Sequence, residues 1–265
     1  MTIHPTALID AGAEIDCTAS IGAYTVIEKG VIIGAGTEVG AHAVISGCTT
    51  IGKRNRIHSF ASIGAPPQDL KYQGEDTRLV IGDDNLIREY VSIHRGTVNG
   101  HGVTTVGSAN MIMAYSHIAH DCVVGDHVIL ANGATLGGHV QVGDHANLGG
   151  MVAIHQFSRV GAYTYIGGMS GISKDVPPFV IATGVRDQLR ITGINKIGLR
   201  RNGFAAEDIN TLAQAFVFIF RTELLLGEAL DKALIEFPNC QLVIDLVTFM
   251  KAPNRFGVVR KFDAD

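Results

Sequence analysis

Four histidines lie close together in the middle of this 265-residue chain: His117, His120, His139 and His155. His120 is followed directly by Asp121. A neutral imidazole takes up a proton near pH 7, and a carboxylate partner can orient it. The pair therefore suggests a general base, although the sequence does not fix whether the carboxylate of Asp121 reaches the ring.

Zinc binding is the second interpretation of this cluster, because three histidines that meet at a subunit interface can hold the metal. A third interpretation treats the four residues as surface side chains without a function. Six other histidines lack such neighbours, and we expect them to be exposed to solvent: His4, His42, His58, His101, His127 and His145. Which of the three interpretations holds depends on the scaffold that positions the four histidines.

A six-residue repeat of Ile, Val or Leu runs through most of the chain. It covers residues 3–63, 81–93 and 106–172, which gives 26 repeats. This period fits neither an α-helix nor a simple alternating strand, and it is typical of a parallel β-helix whose aliphatic side chains point into the tube. In the hexapeptide-repeat proteins that this pattern resembles, three repeats form one coil and the helix is left-handed. We therefore expect between eight and nine coils.

Three six-residue repeats per coil place residues 18 positions apart above one another. His120 then lies over Gly138, which lies over Gln156, and Asp121 lies over His139. The ring of His120 should point outward, because it stands two places after an inward-facing isoleucine. The repeat thus predicts a column of polar groups along one edge of the solenoid.

Two segments interrupt the repeat, at residues 64–80 and 94–105. Loops that leave a regular scaffold often cover a ligand, although a tolerated insertion would look the same in the sequence. Beyond Ile172 the repeat ends, and the apolar spacing becomes helical further on. We therefore predict a mainly β chain in two domains, a parallel β-helix (a hexapeptide-repeat solenoid) over residues 1–190 and a C-terminal all-α domain over residues 191–265.

The composition argues against several classes of protein. The formal net charge is −4 and no long basic run is present, which disfavours nucleic-acid binding. The longest apolar stretch, 215–220, is too short to cross a bilayer. The four cysteines show neither disulfide nor metal-site spacing, and the first repeat begins at Ile3. We therefore expect a cytoplasmic protein without a signal peptide or stable membrane insertion.

Eight short segments form a specific set when they are taken together: QDLKY (68–72), IHRGT (93–97), HIAHDC (117–122), AN (131–132), GGHV (137–140), GGM (149–151), HQF (155–157) and DVPP (175–178). In these segments the chain resembles the UDP-N-acetylglucosamine O-acyltransferases, which catalyse the first step of lipid A biosynthesis. The resemblance covers essentially the whole chain, including the helical part. It explains the histidines without a metal.

This resemblance implies transfer of a 3-hydroxyacyl chain from acyl carrier protein to the 3-hydroxyl of UDP-N-acetylglucosamine. It makes His120 the general base, Asp121 its support and the backbone N–H of Gly138 the donor to the oxyanion. It implies no metal and no cofactor, since the acyl chain is carried on the phosphopantetheine of the carrier protein. It also implies a homotrimer with each active site between two subunits. The positions that match substrate-binding residues are Asp69, Lys71, His117, Asn132, His139, His155, Gln156, Asn195 and Arg201.

The chain departs from the family pattern where the nucleotide is expected. The motif that begins at Asn195 has Ile197 in place of a glutamate and Asn202 in place of an arginine. Gly168 matches a position that limits the acyl pocket, and a glycine there predicts a long donor chain, on the order of 12–14 carbons. A basic cluster near this motif fits the diphosphate, the acidic carrier protein or a solvated face: Arg186, Arg190, Lys196, Arg200 and Arg201.

Several alternatives stay open at the level of sequence. An acetyl-CoA-dependent sugar acetyltransferase has the same fold. The N-acyltransferase of the same pathway carries a uridine-binding domain before its β-helix, which we do not expect here because the repeats start at residue 3. The acceptor can also be the 3-amino analogue of the UDP-sugar. A γ-class zinc hydratase and a non-catalytic solenoid are the remaining alternatives.

Overall fold

The computed structural model describes residues 2–260 of the chain. Most strands are only two residues long, because each repeat turns a corner after its inward-facing residue. In chain order the strands are β1 (Thr2–Ile3), β2 (Leu8–Ile9), β3 (Glu14–Ile15), β4 (Ser20–Ile21), β5 (Val26–Ile27), β6 (Ile32–Ile33), β7 (Glu38–Val39), β8 (Val44–Ile45), β9 (Cys48–Ile51), β10 (Arg56–Ile57), β11 (Ser62–Ala65), β12 (Arg78–Ile81), β13 (Leu86–Ile87), β14 (Ser92–His94), β15 (Val103–Val106), β16 (Met111–Ile112), β17 (His117–Ile118), β18 (Val123–Val124), β19 (Ile129–Leu130), β20 (Thr135–Leu136), β21 (Gln141–Val142), β22 (Asn147–Leu148), β23 (Ala153–Ile154), β24 (Arg159–Val160), β25 (Tyr165–Ile166), β26 (Gly171–Ile172), β27 (Val180–Thr183) and β28 (Arg190–Ile194).

Successive strands alternate among three sheets, so that each coil contributes one strand to each face of a triangular prism. Sheet A begins with β1 and β4, sheet B with β2 and β5, and sheet C with β3 and β6. Pairing between coils is parallel, and in sheet B Ile93 pairs with Ile118, Ile118 with Leu136, and Leu136 with Ile154. The 18-residue stacking predicted from the repeat is confirmed from Ile118 to Ile154, whereas the second excursion lengthens the step from Ile93 to Ile118 to 25 residues.

The aliphatic residue of each repeat fills the interior of the prism. Ile93, Ile112, Ile118 and Leu130 have no exposed surface. Burying a side chain of this size contributes roughly 1.5–3 kcal/mol, and here each residue packs on the equivalent residue one coil above and below. The inward residues of the first coil are only partly buried, because no further coil covers them: Ile3, Ile9 and Ile15.

The two interruptions are shorter than their predicted bounds of 64–80 and 94–105. The strands extend into them, so that the excursions themselves span residues 66–77 and 95–102. The physical reason is additional pairing: β12 pairs along four residues with both β9 and β15. Leu79 supplies a second inward side chain in this strand and is fully buried.

Four helices follow the solenoid: α1 (Lys196–Arg201), α2 (Ala206–Phe220), α3 (Leu226–Glu236) and α4 (Gln241–Lys251). The spacing of apolar residues indicated the last three, whereas α1 is too short to show a period. The boundary predicted between residues 190 and 191 falls within β28, which runs antiparallel to β27. Buried residues such as Leu212 and Leu246 form a second core among the helices. Within residues 2–260, no helix combines the length and hydropathy needed to cross a bilayer.

Candidate active site

The clustered histidines lie along one edge of the prism, between sheets B and C, which we call the B/C edge. Both excursions, 66–77 and 95–102, leave the solenoid at this edge, after β11 and β14. The next three coils turn the same edge after β17, β20 and β23, and there they carry His120, Gly138 and Gln156. Five consecutive coils therefore build one continuous site.

His120 and Asp121 form a hydrogen-bonded pair. The Nδ1 atom of His120 lies 2.8 Å from Oδ2 of Asp121, which settles the question that the sequence left open. The carboxylate is fully buried, whereas the imidazole keeps 14% of its side-chain surface exposed. Because the carboxylate occupies Nδ1, Nε2 is the nitrogen that is left to accept a proton.

The second excursion holds Asp121 in place. Thr97 donates to the carboxylate through its hydroxyl at 2.7 Å and its backbone N–H at 3.1 Å, and the backbone N–H of His101 donates at 2.8 Å. Burial alone would raise the pKa of Asp121, but the hydrogen bonds from Thr97, His120 and His101 outweigh it, so the pKa lies below its usual range. Asp121 is therefore a buried carboxylate that stays ionised. The sequence pattern did not reveal these partners.

Gly138 lies beside the Nε2 atom of His120. Its position is buried, and its backbone N–H has no hydrogen-bond partner within residues 2–260. A Cβ atom built on Gly138 would lie 2.7 Å from Nε2 and 2.6 Å from Cε1 of His120, so any side chain would displace the ring. The corner thus offers a free backbone donor next to a free acceptor nitrogen.

His117 projects from β17 on the same side of the site. Its Nδ1 atom lies 2.7 Å from the hydroxyl of Ser92, and its ring meets His94 edge to face at 4.8 Å. Burial, reinforced by the nearby ring of His120, lowers the pKa of His117. Sequence stacking missed Ser92 and His94 as partners, because the second excursion lengthens this coil and changes the offset from 18 to 25 residues.

Residues 255–256, which follow α4, lie against the B/C edge at the coil that carries His155 and Phe157. Arg255 lies over the ring of Phe157, with its guanidinium carbon 4.0 Å from the ring centroid. Phe157 in turn stacks on His139 at 4.3 Å, and Phe256 meets the ring of His155 edge to face. The predicted residues His139 and His155 therefore lie between the corner that carries His120 and residues 255–256.

His42 and His127 are exposed, as expected, but histidines outside the cluster also have ring partners. His42 lies between Tyr24 and Phe60 in a stack with centroids 5.1 Å apart. His127 stacks on His145 at 4.6 Å. These residues follow the same 18-residue stacking as the B/C edge, so the repeat was sufficient to predict the contacts.

A metal ion fits the cluster less well than a hydrogen-bonded pair. His120, Asp121 and His139 do present ligand atoms within 4.8 Å of one another. The oxygens of Asp121, however, already accept hydrogen bonds from Thr97, His101 and His120. A metal ion would have to displace this arrangement, so the donor set does not favour the zinc interpretation.

Comparison with known proteins identifies the family. Residues 175–259 match the family model described as UDP N-acetylglucosamine O-acyltransferase, domain 2, and residues 103–138 match the bacterial transferase hexapeptide repeat. The acyl-[acyl-carrier-protein]–UDP-N-acetylglucosamine O-acyltransferase of Syntrophobacter fumaroxidans is 51% identical over 98% of this chain and 100% of its own length. This chain belongs to that family. The corresponding protein of Thermodesulfovibrio yellowstonii is 52% identical over 97% of this chain and 99% of its own length.

Solved structures of UDP-N-acetylglucosamine O-acyltransferases match the complete fold. The protein from Moraxella catarrhalis RH4 is 46% identical, with a TM-score of 0.91 over 98% of this chain and 100% of its own. The acyltransferase from Francisella novicida is 38% identical, with a TM-score of 0.93 over 100% of this chain and 95% of its own. The predicted left-handed parallel β-helix with a helical C-terminal part is confirmed.

Several positions that match the O-acyltransferase pattern lie on other edges of the prism. Asn132 and Gly168 follow strands of sheet A and are exposed on the A/B edge. Asn195 caps α1, where its side chain accepts from the N–H of Gly198 and donates to the carbonyl of Tyr163 on the C/A edge. Arg201 is exposed in the last turn of α1. Within one chain, these residues are not brought together with His120.

The first excursion carries the other two positions of the family pattern. The backbone N–H of Lys71 donates to the carboxylate of Asp69, which bends the loop on itself, and the Lys71 side chain is exposed. No hydrogen bond joins either side chain to the histidine cluster within residues 2–260. Arg95 ties the excursion to the B/C edge by donating to the carbonyl of Gly64 and to the hydroxyl of Tyr72.

The buried histidines predict a loss of stability in acid. Burial and the nearby rings of His117 and His120 lower the pKa of His94 from 6.5 to about 4. Between these two values the unfolded chain binds more protons than the folded chain, so the free energy of unfolding falls as the pH falls through this window. Thermal unfolding midpoints measured from pH 7 to pH 4 should decline less steeply for His94→Gln than for the wild type. His4→Gln, at an exposed position, should keep the wild-type slope, and equal slopes for all three proteins would contradict the assignment.

Proposed function

We propose that this chain transfers a 3-hydroxyacyl group from acyl carrier protein to the 3-hydroxyl of UDP-N-acetylglucosamine, as the first step of lipid A biosynthesis. The names of its relatives specify an acyl carrier protein donor and this acceptor sugar. One observation carries the proposal. The Nε2 of His120, which Asp121 leaves free, and the N–H of Gly138, which has no partner within residues 2–260, lie in the same corner.

In the proposed reaction, Nε2 of His120 removes the proton from the sugar hydroxyl as its oxygen attacks the thioester carbonyl carbon. Asp121 holds the ring by Nδ1 and stabilises the imidazolium that forms. The carbonyl oxygen becomes an oxyanion and accepts a hydrogen bond from the N–H of Gly138. The C–S bond then breaks, and the thiolate takes the proton from His120. The products are the sugar ester and the free phosphopantetheine thiol, and no covalent acyl-enzyme forms.

The outer face of sheet B supplies a path for the acyl chain. A groove of about 350 Å³ lies on this face, lined by Ala153, His155, Gly171 and Val185 among others. Ala153 has a small side chain and Gly171 has none, which leaves room against the strand backbone. His155 lies between this groove and the catalytic corner, so a chain bound at Gly138 can extend toward β27 and β28. We assign Gly168, on the adjoining edge, to the far end of this path.

Acyl transfer to a 3-amino UDP-sugar is the second candidate function. The altered nucleotide motif keeps this possibility open: Ile197 is 63% exposed, and the side chain of Asn202 donates to the carbonyl of Gly198. We assign Asn195 and Arg201 to binding of the nucleotide. Asn195 also caps α1. An amine acceptor would use the same base and the same oxyanion donor, so the corner itself accommodates both reactions.

We further propose that the chain works as a homotrimer in the cytoplasm. Four exposed aromatic rings form a ridge along the A/B edge: Tyr24, Phe60, Tyr90 and Tyr115. A ridge of this kind favours a protein partner, and the B/C edge is open on one side in the single chain. Sedimentation equilibrium should give three times the chain mass of 28.1 kDa. A monomer at the concentrations used for activity would refute the trimer.

The His120→Ala variant tests the base. We expect kcat to fall by about 10²–10⁴-fold, because the proton transfer loses its positioned acceptor. Its thermal unfolding midpoint should stay near that of the wild type, since the ring lies at the rim of the site. His127→Ala, a histidine at a corner on the C/A edge, is the matched control and should retain wild-type turnover. If His120→Ala turned over as fast as the control, the general-base assignment would be wrong.

A matrix of donors and acceptors tests substrate choice. We expect the highest kcat/KM with 3-hydroxyacyl donors of about 12–14 carbons, because Gly168 leaves room for methylenes that each contribute about 0.8 kcal/mol when buried. Gly168→Met should shift the preference to shorter chains, whereas Gly227→Ala on α3, where nothing lies within 4 Å, should not. Preference of the wild type for the shortest donors would contradict the role of Gly168, and faster transfer to the 3-amino sugar would favour the second candidate.

A further inference from the structure

Cys122 lies next to the catalytic pair, and its side chain is fully buried. Its Sγ atom is 3.1 Å from the carbonyl oxygen of Gly137 and donates a hydrogen bond to it. That carbonyl belongs to the same peptide group as the N–H of Gly138. The thiol therefore contacts the peptide group that joins Gly137 to Gly138, and the Cα of Gly138 lies beside the ring of His120.

A peptide group is conjugated, so a hydrogen bond accepted by its carbonyl draws electron density from its nitrogen and makes the N–H a better donor. The same bond also resists rotation of the peptide plane. We propose that Cys122 is a positioning residue that aligns and polarises the N–H of Gly138 for the oxyanion. This inference rests on the proposed function, because it requires Gly138 to be the oxyanion donor.

The same contact recurs elsewhere in the solenoid. Side chains at the equivalent position of other repeats donate to the carbonyl 15 residues later: Thr25 to Gly40 at 2.8 Å, Thr37 to Gly52 at 2.9 Å and Ser116 to Ala131 at 3.1 Å. The contact is thus part of the scaffold, and its cost of removal can be measured away from the active site. Only at the Gly137–Gly138 peptide, among these four, does the bond involve a peptide whose N–H has a proposed catalytic role.

The chemical state of Cys122 suits a donor and not a nucleophile. Burial raises the pKa of the thiol to about 12. It therefore carries its proton near neutral pH, and no thiolate is available for attack. A thiol is a weak donor, so a hydroxyl in its place should be at least as effective.

Steady-state kinetics of matched variants test this role. Cys122→Ser keeps a donor and Cys122→Ala removes it, while the two side chains have nearly the same size. We expect Cys122→Ala to lower kcat about 3- to 10-fold, a fraction of the ~10²–10³-fold that loss of a whole oxyanion donor costs. The KM values for both substrates should change less than about twofold, because the bond acts on the transition state. Cys122→Ser should restore kcat to at least half of the wild-type value.

Two controls separate catalysis from folding. Thr25→Val removes the same scaffold bond far from the site, and it should lower the unfolding midpoint about as much as Cys122→Ala without changing kcat. Cys122→Val lacks a donor but fills the space of the thiol, so it should behave as Cys122→Ala does if the smaller variant is unstable. The role is overturned if Cys122→Ala or Cys122→Val keeps wild-type kcat, if Cys122→Ser is as slow as Cys122→Ala, or if Thr25→Val is equally slow.

His120→Ala, assayed in parallel, distinguishes failure of the inference from failure of the proposed function. Loss of transfer in His120→Ala together with full activity in Cys122→Ala would reject only the positioning role. Full activity in His120→Ala would reject the proposed chemistry of the corner, and the positioning role with it.

Discussion

The whole structure depends on the stacking of one aliphatic side chain per repeat upon its equivalent in the next coil. Because neighbouring coils pair in parallel with a fixed register, their backbones lie roughly 4.8 Å apart at every level. A slip by one residue would turn each inward isoleucine to the solvent. Backbone hydrogen bonds also join the corners of successive coils, as from His139 to His120, and the proposed catalytic groups lie at these corners.

Rigid corners explain why the site uses backbone groups and close contacts. The N–H of Gly138 takes its direction from the backbone of the coil, which the proposed bond from Cys122 to the carbonyl of Gly137 reinforces. The approach of the His120 ring to the Cα of Gly138 is so close that a Cβ would collide with Cε1 and Nε2. The solenoid cannot supply every partner, however, and the buried carboxylate of Asp121 receives its hydrogen bonds from an excursion. The regular solenoid thus fixes the distances between these groups, whereas the excursion 95–102 keeps the carboxyl group of Asp121 ionised.

This division also determines what the sequence can predict. The six-residue period identified the inward residue of each strand from β1 to β26, and stacking by 18 placed His120 over Gly138. Contacts across the second excursion escaped prediction, because Ser92 and His117 are 25 residues apart and Thr97 and Asp121 are 24 apart. Loop conformation follows from local hydrogen bonds and not from a repeat. The helix α1 escaped for a similar reason, since six residues show no period.

The distribution of residues over the edges of the prism bears on how a substrate can be held. His120 lies on the B/C edge, Gly168 on the A/B edge, and Asn195 with Arg201 beside the C/A edge. A full sheet separates each pair of edges, so the groove on the outer face of sheet B does not by itself bring the residues of the three edges together around one substrate. Two prisms side by side place the edge of one against the face or edge of the next. A neighbouring subunit in the proposed trimer would supply a second wall for the site.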